Sequence, residues 1–148
     1  MNNVPAIVTV RSKSTRLPGK CFLSFGDKTI LEHIIDRCLE SDLDPIVCTT
    51  KESEDDRIIG IAYKKKVKFF RGPTRNKLLR WYECALKFNL EIFTTVDADD
   101  PFFCGNEVKR SFEYLDKNKF DLVTPYKSSS SGGGSLGYSL RTKIIKKA

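Results

Sequence analysis

Short apolar runs alternate with amphipathic stretches along most of this chain, and the loop joining the first such pair is loaded with cations. These two observations predict an α/β fold, a three-layer α/β/α sandwich around a mostly parallel sheet. The position of the loop matters. Open α/β sheets take ligands outside the carboxyl ends of their strands, where strand-to-helix loops gather.

Taken in order, "VPAIVTV" (4–10) reads as a buried strand. "TILEHIIDRCLES" (29–41) carries Ile30, Leu31, Ile34, Ile35 and Leu39 at the i, i+3, i+4 spacing of an amphipathic helix. "PIVCTT" (45–50) is a second strand. "ESEDDRIIGIAYKKK" (52–66) is a helix with acids in its first turn and lysines in its last, the order that complements the helix dipole. "VKFFR" (67–71) is a third strand and "RNKLLRWYECALKFN" (75–89) another amphipathic helix. "EIFTTVDADD" (91–100) is a fourth strand ending in acids, "GNEVKRSFEYLDKNK" (105–119) a helix, and "FDLVTPY" (120–126) a fifth strand. The alternation then stops at "KSSSSGGGS" (127–135), read as a flexible Ser/Gly loop; a lid, an ordinary loop and an artificial linker all fit that composition. "LGYSLRTKIIKKA" (136–148) adds a strand and a short helical turn.

A chain of 148 residues is expected to form one domain, 1–148, because a chain of about this size buries roughly 70% of its unfolded surface. Its 40% apolar and 30% charged content is that of a water-soluble globular protein. No apolar run approaches the length of a membrane span, and the N-terminal apolar run is too short for a signal peptide, so a cytoplasmic location is expected. The five cysteines, Cys21, Cys38, Cys48, Cys84 and Cys104, are odd in number and form no CxxC pair, which argues against a disulfide framework or a zinc site. Cys21 adjoins the cationic loop, where neighbouring charge would lower its pKa, but it has no histidine partner and receives no catalytic role. His33, the lone histidine, lies in the first helix and is read as structural.

The net charge of +7 invites a nucleic-acid reading, yet much of the excess lies in "YKKKVK" and the terminal "KIIKK", and no nucleic-acid-binding signature accompanies it. A cationic pocket for anionic small molecules explains the charge as well, with no nucleic-acid partner. The loop "RSKSTRLPGK" (11–20) fits that pocket. Gly19 permits close backbone approach, Ser12, Ser14 and Thr15 supply hydroxyls, and Arg11, Lys13, Arg16 and Lys20 supply charge, an inventory suited to a polyphosphate.

"TTVDADDP" (94–101) places Asp97, Asp99 and Asp100 at a predicted strand end. Residues two apart on an extended chain point the same way, so Asp97 and Asp99 are expected to face one pocket. Oxygen-only donors beside a phosphate site favour Mg²⁺, which takes one or two carboxylates and keeps waters. In "RGPTRNKLLRWYECAL" (71–86), Asn76 or Thr74 suits a helix cap, while Arg71 and Asn76 equally suit a base edge. Arg75 and Arg80 suit phosphate, ribose or an acidic substrate.

"VTVRSKSTRLPGK" closely resembles the N-terminal motif of the cytidylyltransferases that make CMP-activated sugars, including CMP-Kdo synthetase, CMP-sialic acid synthetase and the spore-coat polysaccharide group. The RxxSxRLPGK pattern is long and specific. "FLSFGDKTILEHIIDRCLES" resembles the segment that follows it in those proteins, and "VDADDP" stands in the place of their acidic motif; the likeness runs to about residue 125. The resemblance implies a Rossmann-like, nucleotide-diphospho-sugar transferase-like α/β/α sandwich that uses CTP and requires Mg²⁺. It implies that Arg11 and Lys20 contact the triphosphate, that Arg71 lies where some members have a base-contacting arginine, and that Asp99 binds metal. Asp97 stands where glutamine is often found. Family enzymes usually continue for many more residues, which supply sugar contacts, dimer contacts and often a second metal-binding acid. Three expectations fit this length: a minimal member, a member truncated at the C-terminus, or a chain whose activity needs another chain, with a homodimer among the assemblies.

The reaction this implies is transfer of CMP from CTP to an acidic sugar or related acceptor, in surface polysaccharide biosynthesis. The acceptor attacks the α-phosphorus and pyrophosphate leaves, with Arg11, Lys20, Asp99 and Mg²⁺ as the catalytic groups and no side-chain nucleophile. Two other classes fit part of the pattern. "DAD" is also the metal motif of sugar-nucleotide glycosyltransferases, though these do not need a cationic loop after the first strand, and a non-catalytic nucleotide-binding or assembly module would tolerate a short C-terminus.

Overall fold

The computed structural model describes residues 3–125 and 137–146; the Ser/Gly stretch 127–135 lies outside them. The first strand, β1 (Val4–Thr9), alternates as a buried central strand should. Ala6 and Val8 face one apolar cluster and Ile7 the other. A small hairpin follows, β2 (Ser24–Phe25) with β3 (Lys28–Thr29), closed over Gly26 and Asp27. The helical periodicity of the sequence concealed this hairpin. Thr29 then caps α1 (Ile30–Glu40): its hydroxyl accepts the Glu32 N–H while the Glu32 carboxylate accepts the Thr29 N–H, a reciprocal capping box. The buried stripe of α1 is Leu31, Ile34, Ile35 and Cys38. Leu39, expected in that stripe, is exposed, because Cys38 holds the i+7 position from Leu31.

Strand β4 (Leu43–Thr50) leads through a 3₁₀ turn, Ser53–Asp55, into α2 (Asp56–Lys65), and β5 (Lys68–Gly72) leads to α3 (Lys77–Lys87). Strand β6 (Ile92–Asp97), helix α4 (Gly105–Asn118), and strands β7 (Leu122–Val123) and β8 (Ser139–Arg141) complete the order. The sheet runs β5-β4-β1-β6-β8-β7, and its first four strands are parallel. Helices α1, α2 and α4 pack on one face through Leu31, Ile58, Ala62 and Val108. Helix α3 packs on the other through Trp81, Cys84 and Ala85, which meet Ile7, Ile46 and Phe93. The mostly parallel three-layer sandwich is therefore the observed architecture.

Two expectations change at its edge. The segment expected as a strand over 91–100 leaves the sheet at Asp97 and turns, with the Asp100 N–H on the Asp97 carbonyl at 3.4 Å. Among the described residues, the fifth strand, expected over 120–126, is confined to β7, which pairs with β8. Strand β8 runs antiparallel to β6 and inserts between them. Gly137 makes this possible: at φ 63° it lies so close to β6 that a Cβ there would stand 1.9 Å from the Thr95 carbonyl oxygen. Tyr138 completes the seam, its carbonyl accepting the Thr95 N–H at 2.8 Å.

Candidate active site

Because the chain moves outward from β1 through β4 to β5 and then returns to β6 on the other side of β1, the strand order reverses between β1 and β6. At the carboxyl ends of these strands lies a cleft of about 330 Å³, the crevice where an open α/β sheet takes its ligand. Arg11, Ser14 and Lys20 line one wall. Asp97 and Asp99 line a second, and Thr74, Arg75, Lys77 and Arg80 a third.

The cationic loop is closed on Ser12. Its carbonyl accepts the N–H groups of Ser14 (3.1 Å) and Gly19 (2.8 Å), so both arms are tied to one peptide. Gly19, at φ 72° and ψ 14°, then turns the chain into the short 3₁₀ helix Lys20–Phe22. Ser12 is in turn fixed from outside. Its N–H donates to Asp55 Oδ1 at 2.8 Å, its hydroxyl donates to the same oxygen, and the Thr50 hydroxyl donates to Asp55 Oδ2. Asp55 is 2% exposed. Burial pulls its carboxyl pKa upward, but the bonds from Ser12 and Thr50 outweigh that and hold it below the ordinary value of 3.8. A buried carboxylate from the β4–α2 connection thus positions the whole loop, a role that no spacing in the sequence signals.

The acidic turn faces the loop. Lys20 Nζ donates to Asp99 Oδ2 at 3.1 Å, and Lys77 Nζ stands 4.0 Å from Asp97 Oδ1. Burial pushes the Asp97 carboxyl pKa up; Lys77 draws it back, and Asp99 and Asp100 push it further up. A carboxylate so disfavoured calls for a cation. Asp97 and Asp99 come to one cleft as expected, although through the turn after β6 and not along an extended strand. Asp100 turns the other way, bordering Val96, Phe103 and Val108, with its Oδ1 accepting the Phe102 N–H at 3.0 Å. Helix α1 braces the segment beyond: His33 Nε2 lies 3.2 Å from the Pro101 carbonyl oxygen, and Arg37 Nε donates to the Phe103 carbonyl at 2.6 Å. Among the described residues no three His, Cys, Asp or Glu side chains converge. The pair Asp97 and Asp99 fits Mg²⁺, which needs only one or two carboxylates when phosphate and water supply its other oxygens.

Several residues expected at the nucleotide lie elsewhere. Arg71 donates to the carbonyls of Thr50 (2.8 Å) and Glu52 (2.7 Å) and pairs with Asp56 (2.7 Å), which fastens β5 to the β4–α2 connection. Asn76 caps α3 through the Leu79 N–H at 3.0 Å. Arg16, Ser12 and Gly19 do not line the cleft. Arg80 does line it, yet is 3% exposed and donates through Nη1 to the Pro73 (2.8 Å) and Thr74 (3.3 Å) carbonyls; its buried Nε has no hydrogen-bond partner among the described residues. Arg80 thus holds the loop that presents Arg75 and Lys77. Cys21 also borders the cleft, but burial outweighs the nearby Lys20 and Arg57 and pushes its thiol up to about 11, leaving it unreactive.

A cytidylyltransferase family model matches residues 5–139, which takes in β1, the cationic loop, the acidic turn and the start of β8. The chain belongs to the cytidylyltransferase family. It is 32% identical over 120 residues to an uncharacterized protein of Methanocaldococcus jannaschii, covering 80% of this chain and 49% of that one. It is 29% identical over 128 residues to a 3-deoxy-manno-octulosonate cytidylyltransferase of Rickettsia akari, covering 83% of this chain and 51% of the other. The solved structure of a cytidylyltransferase from Leptospira borgpetersenii superposes with a TM-score of 0.85 at 26% identity, covering 99% of this chain and 63% of that one. The chain thus spans about half the length of the curated relatives it matches. Its described residues contain no helix long and apolar enough to cross a membrane.

Proposed function

We propose that this cytidylyltransferase-family chain binds CTP in the β1/β6 cleft and transfers CMP to an acidic sugar or a related acceptor, with Mg²⁺ as cofactor and pyrophosphate as the leaving group. The observation that carries the reading is the meeting, in one cleft at the strand-order reversal, of Arg11 and Lys20 with Asp97 and Asp99. Cations on one wall suit a triphosphate, and paired carboxylates on the other suit the metal that accompanies it. The acidic acceptor is supported by the likeness to the 3-deoxy-manno-octulosonate cytidylyltransferase of Rickettsia akari, and a place in surface polysaccharide biosynthesis by a likeness, 29% identical over 108 residues, to a spore coat polysaccharide biosynthesis protein of Bacillus subtilis.

In this mechanism Arg11 and Lys20 stabilise charge developing on the triphosphate as the acceptor oxygen attacks the α-phosphorus and the bond to pyrophosphate breaks. The loop amides fixed by Ser12 and Asp55 present themselves without reorganising, which is where preorganised sites gain most. Asp97 and Asp99 would hold Mg²⁺, which when bound would neutralise phosphate charge. The deciding experiment follows pyrophosphate release from CTP with a panel of acidic sugars, with and without Mg²⁺, and with UTP and ATP as competing nucleotides. Acceptor-dependent release specific to CTP supports the reading. Release from no nucleotide, together with no CTP binding, would refute it.

A further inference from the structure

The cleft contains two lysine–aspartate pairs, and they differ. Lys20 is hydrogen-bonded to Asp99 at 3.1 Å. Lys77 stands 4.0 Å from Asp97, beyond hydrogen-bond length, and its ammonium lies 4.9 Å from the centre of the Trp81 ring. Its side chain is half exposed, so it is attracted to both neighbours and locked by neither. What surrounds it is fixed. Trp81 is buried and donates through Nε1 to the Thr9 hydroxyl at 2.7 Å, and the loop before Lys77 is held by Arg80. Gly72 lets Arg80 approach: a Cβ there would stand 2.9 Å from Arg80 Cγ. A cation held by no hydrogen bond, beside side chains that are, and opposite a loop of further cations, is suited to following a ligand's charge.

We infer that Lys77 is a phosphate-contacting residue that changes partners, neutralising Asp97 while the cleft is empty and moving to a phosphate oxygen when a metal-bound nucleoside triphosphate takes Asp97. The inference rests on the reading of the cleft as a CTP site. Charge balance favours the exchange: a fully ionised triphosphate together with Asp97 and Asp99 carries more negative charge than Mg²⁺, Arg11, Lys20 and Arg75 carry positive, and a cation at Asp97 makes the Lys77 pairing redundant. The ammonium then leaves the indole face, and Trp81, the lone tryptophan, reports the movement.

The test is a titration with CTP in Mg²⁺ and again in EDTA, following binding heat and Trp81 emission, on the wild type, Lys77→Met, Lys77→Arg, Asp97→Asn and Lys20→Ala. Lys77→Met is expected to weaken CTP binding in Mg²⁺ by about tenfold, the size of one charge-assisted hydrogen bond, and to abolish the nucleotide-dependent emission change. Lys77→Arg, which keeps the charge, should stay within about threefold of wild type. Asp97→Asn should tighten CTP binding in EDTA, since Lys77 is then freed and a like charge removed. Unchanged affinity in Lys77→Met beside a clear loss in Lys20→Ala would overturn the inference and leave the nucleotide site standing. No CTP binding in the wild type would instead overturn the reading of the cleft. Should Lys77→Met melt well below the wild type, wild-type emission that is indifferent to saturating CTP would by itself overturn the exchange.

Discussion

Asp55 is the residue on which the cationic loop hangs, and its removal has a calculable effect. In Asp55→Ala three donors lose their acceptor: the Ser12 N–H, the Ser12 hydroxyl and the Thr50 hydroxyl. Each stranded donor costs about 1–3 kcal/mol where water cannot replace the bond. Thr50 is 1% exposed and bears the full penalty, whereas Ser12 is half-buried and recovers part of it from solvent. The total is about 3–5 kcal/mol, within the range for breaking a buried charged network. Asp55→Asn keeps the shape and one acceptor oxygen but turns an amide N–H toward a donor, so about 1.5–3 kcal/mol is expected.

The loss is not confined to stability. Ser12 carries both arms of the loop on its carbonyl, so releasing Ser12 releases Arg11 and Lys20 from their common frame. CTP affinity should fall by about tenfold or more in Asp55→Asn although Asp55 does not line the cleft, because the order lost must be restored on binding. Urea unfolding gives the first quantity and titration calorimetry the second. The sign with pH is fixed as well. The folded carboxyl lies below 3.8, so its stabilisation is fully present above that value and is lost as pH falls through the folded pKa; the gap between wild type and Asp55→Asn should therefore close in acid. An Asp55→Asn protein with wild-type stability and CTP affinity at neutral pH would refute the anchoring role.

Lys20→Ala should weaken CTP binding by about tenfold or more while the melting temperature stays near wild type, because its pairing with Asp99 is at the surface. Asp99→Asn should abolish the tightening of CTP by Mg²⁺ in calorimetry, with Asp100→Asn far milder; the reverse order would mean that the turn presents the other carboxylate. Glu32→Gln should cost about 1–2 kcal/mol in urea unfolding, since it removes the capping-box carboxylate and its bond to Lys64. The Thr29 N–H and Lys64 hold Glu32 at about 2 against an ordinary 4.5, so this contribution is present above about pH 4.5 and disappears as pH falls through about 2. Gly137→Ala should destabilise the fold by more than about 3 kcal/mol by thermal melting, from the clash with the Thr95 carbonyl and the left-handed backbone together.

Most of the fold was legible because it is written in local periodicity. Val4, Ala6 and Val8 alternate against Ile7, and Leu31, Ile34, Ile35 and Cys38 recur with the helical turn; each pattern can be read without knowing its partner. What escaped was set by tertiary packing. The hairpin Ser24–Thr29 is only two residues a side and merges with the capping signal of α1. The direction of β8 is fixed by the fit of Gly137 against Thr95, which no spacing in the sequence encodes.

The same division runs through the site. Arg11, Ser14, Lys20, Asp97 and Asp99 line the cleft from the two segments that follow β1 and end β6, the places where the topology of an open α/β sheet gathers its loops. Asn76 suits a helix cap and a base edge equally, and the structure uses it as the cap of α3; Arg71, expected at a base edge, instead satisfies the Thr50 and Glu52 carbonyls of the β4–α2 connection. A polar residue beside a cleft can either meet the ligand or satisfy the chain that forms the cleft, and composition does not distinguish the two. Asp55 is the converse case. It sits in "ESEDD", where four acids read as a dipole-complementing first turn, yet only its carboxylate is buried, and its partner Ser12 is 43 residues away. The ligand-facing cations thus depend on a carboxylate that never faces the ligand, which is why a sequence motif that ends at Lys20 leaves the loop's geometry undetermined and the fold must supply the remainder.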